Sequence, residues 1–217
     1  MPRAALTDLE LETTRRRLSA AALAIYREEG QEAVTFRRIA EALRISHTRA
    51  YRYFDNKDGL MARVRVEAMQ RLSEHVLRRS PTQPDILKQM RDTILAFVEF
   101  GRAHPQDYLL IFASHQPAPT LFPELLAARR ALFDHAVGIA QRAIDHGVID
   151  GDARRFAHIV WSQVHGLMTL HTANQLVHGY DLDALVPTMI DHLLGTRRAD
   201  DAATPITASR GARATRG

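Results

Sequence analysis

Residues 35–57, TFRRIAEALRISHTRAYRYFDNK, hold two short apolar stripes on either side of a break, with six basic side chains among them. Ile39, Ala40 and Leu43 recur at helical spacing and predict one buried face; Ile45 follows the break, and Ala50, Tyr51 and Phe54 begin a second face. Ser46 stands where a hydroxyl can accept from the free amides at a helix start, so the spacing predicts helices over about 35–43 and 47–53 with a tight turn between them. Helix, turn and capped helix make a helix-turn-helix, whose second helix is sized for the major groove of DNA. His47, Thr48, Arg49 and Arg52 are then left facing outward, with donors for base edges and phosphates.

Charge distribution supports a polyanionic partner for this stretch. Residues 34–57 carry six basic and two acidic groups, whereas residues 58–195 carry thirteen and fifteen. The first 33 residues are near neutral, and residues 196–217 hold five basic groups against two acidic ones. Positive charge therefore concentrates on the helix-turn-helix and the tail. A chain of 217 residues can bury a large core, and the absence of cysteine excludes disulfides, thiol nucleophiles and thiolate metal sites. No apolar run approaches the roughly 20 residues needed to span a bilayer, and the start lacks a signal-peptide core, so a soluble cytoplasmic protein with no membrane partner is expected.

Nearly all the rest reads as helix. Leu18, Ala22 and Ile25 share a face between about Thr13 and Gly30, where glycine stops the helix. Further helices are predicted over about 57–79, with Asn56 as cap, then 85–103, a short one from Pro105 carrying Tyr108 and Phe112, 125–146, 154–177 and 183–194. QPAPTLFP at 116–123 reads as a loop. The fold class is all-α: a three-helix DNA-binding domain over 1–57 (motif about 35–54), a larger helical domain over 58–196, and a disordered tail over 197–217, which has almost nothing to bury.

Ile25-Tyr26, Gly30, Thr35, Ile39-Ala40, Ile45-Ser46, Tyr51, Tyr53-Phe54, Lys57 and Leu60, in that order and spacing, resemble the N-terminal signature of the tetracycline-repressor (TetR) family of bacterial regulators. Trp161, His165 and Gly166, with His104-Pro105 and Tyr108 upstream, resemble the Trp-His-Gly type of TetR C-terminal domain. Arg44 departs from the family's turn glycine, Ala50 from a leucine, Gly59 from a polar residue, and His47, Thr48 and Arg49 from the usual start of the recognition helix.

The resemblance implies a homodimeric regulator, most often a repressor, that binds a pseudo-palindromic double-stranded operator and leaves it when a small molecule binds. It implies DNA contact by Thr35, Arg37, Ser46, His47, Thr48, Arg49, Tyr51, Arg52, Tyr53 and Lys57. Arg49, which can give guanine two donors, is the best candidate for direct readout, and Tyr51, Tyr53, Lys57 and Arg37 match phosphate contacts. An effector pocket is expected from Phe97, Gly101, His104, Tyr108, Phe112, Phe133, Val137, Trp161, His165 and Met168, although an aromatic or methionine stripe is more often plain core. A dimer interface is expected from Val160, Val164, Leu167, Leu170, Leu185, Met189 and Leu193, with Gly166 allowing close helix approach.

Other chemistries find less support. His158 with His165, and His171 with His178, are each seven residues apart, about 10 Å along a helix and too far for one ion, so no metal or other cofactor is expected. No glycine-rich phosphate loop, nucleophile elbow or paired His-acid motif appears, so an enzyme is not expected. The rival reading is a helical small-molecule- or partner-binding protein whose helix-turn-helix no longer reads specific DNA. Arg44 and Ala50 favour it, and the positive charge of the motif opposes it.

Overall fold

The computed structural model describes residues 7–112, 116 and 119–195. The disordered tail expected over 197–217 lies outside them. The described chain is helical: α1 (Asp8–Glu29), α2 (Phe36–Leu43), α3 (His47–Ala50), α4 (Lys57–Arg79), α5 (Ile86–Ala103), α6 (Pro105–Phe112), α7 (Pro123–Asp145), α8 (Ala153–Thr172) and α9 (Leu182–Leu193), with a 3-10 turn at Pro119–Leu121 before α7. No described helix is long and apolar enough to cross a membrane.

Local chemistry sets the ends. α1 starts five residues before the expected Thr13 because Thr7 and Glu10 form a reciprocal cap: the Glu10 N–H donates to the Thr7 hydroxyl (3.3 Å) and the Thr7 N–H to the Glu10 carboxylate (2.9 Å). That box lies upstream of the apolar stripe, so periodicity alone misses it. Gly30 closes α1 with φ 83°, and Asn56 caps α4 by accepting from the Gly59 N–H (2.8 Å). α8 ends at Thr172, short of the expected 177, where Asn174 turns left-handed at φ 56°.

In the helix-turn-helix, Thr35 caps α2 by accepting from the Arg38 N–H (3.2 Å). Arg44 ends α2 in the left-handed region (φ 53°, ψ 43°), its N–H donating to the Ala40 and Glu41 carbonyls. This is a conformation that glycine adopts at no steric cost; a side chain there costs roughly 1–2 kcal/mol, partly offset because arginine gives the unfolded chain less freedom. Arg44→Gly is therefore expected to stabilise the protein by about 0.5–1 kcal/mol in denaturant titrations. Unchanged or lower stability would show that the arginine side chain contributes more than its backbone costs.

α3 is only four residues long, not seven. After Ala50 the chain tightens, the Tyr53 N–H donating to the Ala50 carbonyl three residues back (3.2 Å). The change of phase alters the second stripe. Ala50 and Tyr53 are buried (0% and 5% exposed), whereas Tyr51, expected inside, is 50% exposed with its ring 4.4 Å from that of Phe36.

A core built from Leu18, Ala22, Ile39, Ala50, Tyr53 and Val64 holds α1–α3 on the first turns of α4. It continues along α4 through Leu72 and Val76 to Phe100, Leu110 and Ile111, so apolar packing crosses the 57/58 boundary without a gap. A second core joins α5, α6, α7, α8 and α9 through Ile94, Tyr108, Ile139, Val164, Met168 and Ile190.

Candidate functional site: a nucleic-acid interface and a cavity

α3 leads outward from a body that buries Ala50. Ser46, Thr48 and Arg52 are exposed, and the Ser46 and Thr48 hydroxyls lie 3.5 Å apart. The side chains of His47 and Arg49 lie outside the described residues; their backbones form the start and the third position of α3. Around them, Arg37 is exposed and pairs with Glu41 one turn on (3.0 Å), while Arg38 pairs with Glu29. Arg44 and Arg52 are exposed and join no ion pair among the described residues. Acids thus compensate the α2 arginines and leave positive charge towards the turn and α3. Lys57, at the start of α4, donates from Nζ to the Gln31 carbonyl (2.9 Å) and so ties α4 to the α1–α2 loop. Tyr53 is inside the core, its carbonyl accepting from Arg15 Nε (3.4 Å). Of the two tyrosines expected at phosphates, Tyr51 is the one presented to solvent.

The larger domain holds a solvent-open cavity of about 620 Å³ bounded by α4, α5, α6, α7 and α8. Five of the expected residues line it: Phe97, Phe112, Phe133, Trp161 and His165. Five do not. His104 caps α5 at the surface, its ring 5.0 Å from Phe100, and Val137 is half-buried away from the lining. Gly101, Tyr108 and Met168 pack on one another: a Cβ at Gly101 would stand 2.6 Å from Met168 Cε and 3.2 Å from the Tyr108 ring. They form the wall behind the cavity. The Tyr108 hydroxyl meets His165 Nδ1 at 2.6 Å, and burial raises the tyrosine's pKa, so the phenol keeps its proton. Burial lowers the pKa of His165, and its ring stacks on Trp161 (5.9 Å, 25°). His135 also lines the cavity, with Nε2 buried and without a partner and its pKa lowered by burial and then by Arg142.

Three lining arginines, Arg129, Arg130 and Arg154, face a single lining acid, Asp134, which Arg154 already holds at 2.8 Å. Sequence reading names none of them. Nor does the sequence mark the junction between the cavity and the N-terminal helices. Asp107 on α6, 1% exposed, accepts from Arg27 of α1 through both oxygens (Nε 2.8 Å, Nη2 2.7 Å) and from Arg71 of α4 (Nε 3.1 Å, Nη2 2.9 Å). One carboxylate thus ties three helices, two of which, α4 and α6, wall the cavity. In the sequence it reads as an ordinary acid in the first turn after Pro105.

On the outer surface of α8, Ile159 (47%) and Leu170 (46%) are exposed, with Gln163 and Gly166 between them on the same face. Among the expected dimer residues only Leu170 is exposed. Val164 is 3% exposed and belongs to the second core, so it cannot meet a partner, and Val160, Leu167, Leu185, Met189 and Leu193 are half-buried.

Two family profiles match this chain. Residues 18–64 match that of bacterial regulatory proteins of the tetR family, and residues 90–193 a tetracycline repressor-like C-terminal domain. No sequence among the curated proteins matches it. Solved structures of the same fold include a protein of unknown function from Rhodococcus sp. RHA1 (24% identity, TM-score 0.74, covering 90% of this chain and 97% of that one). Another is the transcriptional regulator FadR from Bacillus subtilis in complex with stearoyl-CoA (17%, 0.69, 84% and 99%). A third is a bacterial regulatory protein in the tetR family from Rhodococcus RHA1 (18%, 0.63, 84% and 95%). With the N-terminal profile spanning the helix-turn-helix and the C-terminal one spanning α5 to α9, the chain belongs to the TetR family of DNA-binding transcriptional regulators.

Proposed function

We propose that the protein is a homodimeric repressor that binds a pseudo-palindromic operator and is released from it by a small molecule taken into the cavity of the larger domain. The observation that carries this reading is the Asp107 junction. A ligand that displaces α6 or α4 also displaces the anchor of α1, and α1 shares a core with both helices of the helix-turn-helix. The effector works by binding the DNA-incompetent arrangement more tightly, and it shifts the equilibrium only by that difference.

His47, Thr48 and Arg49 are assigned to base edges, and Thr35, Arg37, Ser46, Tyr51, Arg52 and Lys57 to the backbone. Tyr53 supports α3 from within. One four-residue helix reads few base pairs, so selectivity comes from a second copy across a two-fold axis, with the α8 face of Ile159, Gly166 and Leu170 as its contact.

The direct test is selection of bound fragments from a random DNA pool, with a palindrome as the expected result. On the selected site Arg49→Ala should cost about 1–3 kcal/mol and lose preference at one base pair. An equal loss on a scrambled site would remove Arg49 from direct readout, and a pool that yields no symmetric site would overturn the dimeric reading.

A further inference from the structure

The cavity's chemistry narrows what it accepts. Most of its wall is apolar, from Met69 on α4 and Phe97 on α5 to Ile139 on α7 and Val164 on α8. At the C-terminal end of α6 the wall changes character. Arg129 on α7 reaches across it, Nη2 donating to the Ile111 carbonyl (3.2 Å) and to Gln116 Oε1 (2.8 Å). Among the described residues its Nε and Nη1 donate to nothing, and no carboxylate lies within ion-pair distance.

One layer behind stands Arg65 of α4, 2% exposed, with Nε donating to the neighbouring Leu110 carbonyl (3.3 Å). It too has no carboxylate within ion-pair distance among the described residues, and the stretch 113–118, ASHQPA, contains none. Burial disfavours the charge on both arginines, and the proximity of Arg129 disfavours it further on Arg65. A buried and a half-buried guanidinium with no carboxylate in ion-pair contact among the described residues, the more distant Asp58 acting on Arg65 only weakly, are costly, and an oxyanion placed between Arg129 and the cavity would offset that cost. A guanidinium's planar fork suits carboxylate and phosphate oxygens.

We propose that the effector is an amphipathic oxyanion, a carboxylate or phosphate carried on an apolar body, whose head is held by Arg129 at the end of α6 while the body lies along Phe97, Ile139 and Val164. The inference rests on the cavity being the effector site. It also gives the effector a grip on α6, since the Ile111 carbonyl that Arg129 holds lies four residues, about one helical turn, from Asp107.

The chain has a single tryptophan, Trp161, and it lines this cavity. Energy transfer from Trp161, which is partly exposed, therefore reports dyes bound in or beside the cavity, and competition by cavity ligands separates the two. The probes are 1-anilinonaphthalene-8-sulfonate and N-phenyl-1-naphthylamine, which share one aromatic body and differ by the anionic group. The full chain is expected to bind the sulfonate at least about tenfold tighter than the neutral dye, the size of one charge-assisted hydrogen bond. Arg129→Gln should abolish that preference, and Arg129→Lys, which keeps the charge, should retain it.

Dodecanoate and dodecyl phosphate should then compete with the sulfonate dye while dodecanol does not, and the stronger of the two anions identifies the head. Equal affinity for the two dyes, a preference that survives Arg129→Gln, displacement by dodecanol, or displacement by neither anion would each overturn the oxyanion head and leave the cavity as a ligand site. No transfer from Trp161 to either dye would overturn the head and the effector site together.

Discussion

Asp107→Asn is expected to lower the thermal midpoint by about 10 °C and to leave the operator complex unresponsive to effector. The side chain is 1% exposed and receives four donors from two arginines, so the substitution removes the counter-charge and leaves an amide that cannot accept from all four. Breaking a buried pair by removing one partner costs about 3–5 kcal/mol. The lower end applies here, because the Arg27 and Arg71 side chains are 43% and 36% exposed and water can recover part of their solvation. For a chain of this length, about 3 kcal/mol corresponds to about 10 °C.

Arg27→Gln alone should cost much less, since Arg71 still neutralises the acid. The double variant should fall short of the sum, which is the mark of a shared contact. The functional half of the prediction is the more specific: α6 is then no longer tied to α1, so cavity occupancy has less hold on the recognition helices. Unchanged melting would remove Asp107 as a stabilising junction. Full effector-driven release in a variant that melts early would remove it as the coupling.

Legibility of this chain in its sequence follows the range of the interactions involved. The helix ends set by one local residue, Gly30 for α1 and Asn56 for α4, are readable because the signal and its consequence lie within a turn of each other. The exposure of Thr48 and Arg52 in the helix-turn-helix is readable for the same reason, with one failure. The expected helix over 47–53 extends an α-period through a stretch that tightens after Ala50, and this exchanges the roles of Tyr51 and Tyr53.

The cavity is half readable. Phe97, Phe112, Phe133, Trp161 and His165 are aromatic and line the cavity, Trp161 at an exposed edge, but Tyr108 and Met168 are apolar and buried too, and only the packing against Gly101 decides which of them meet space and which meet each other. The arginines of the cavity and the Asp107 junction are not readable at all. Arg27 and Arg71 lie 80 and 36 residues from Asp107, and nothing in their local sequence separates them from solvated surface charges.

Gly166→Leu is expected to change folding stability and association in opposite directions. Gly166 is in the middle of α8, exposed, and a Cβ there meets nothing within 4 Å in the single chain. Replacing a mid-helix glycine by leucine should therefore stabilise the monomer by about 0.5–1 kcal/mol through helix propensity alone. The residue lies between exposed Ile159 and Leu170, four residues before the latter and seven after the former, where a helix from a second copy would approach. A leucine side chain forced into that contact costs about 1–3 kcal/mol, which raises the dimer dissociation constant by roughly ten- to hundredfold and weakens the operator complex accordingly.

Gly138→Leu is the control, because Gly138 is also an exposed helical glycine with open space around it, on α7. It should stabilise the chain by a similar amount and leave association unchanged. Sedimentation across a concentration series separates the two variants, with melting measured below the dissociation constant. If both glycine variants stabilise the chain and neither weakens association, the α8 face is ordinary surface and the two-fold partner must sit elsewhere.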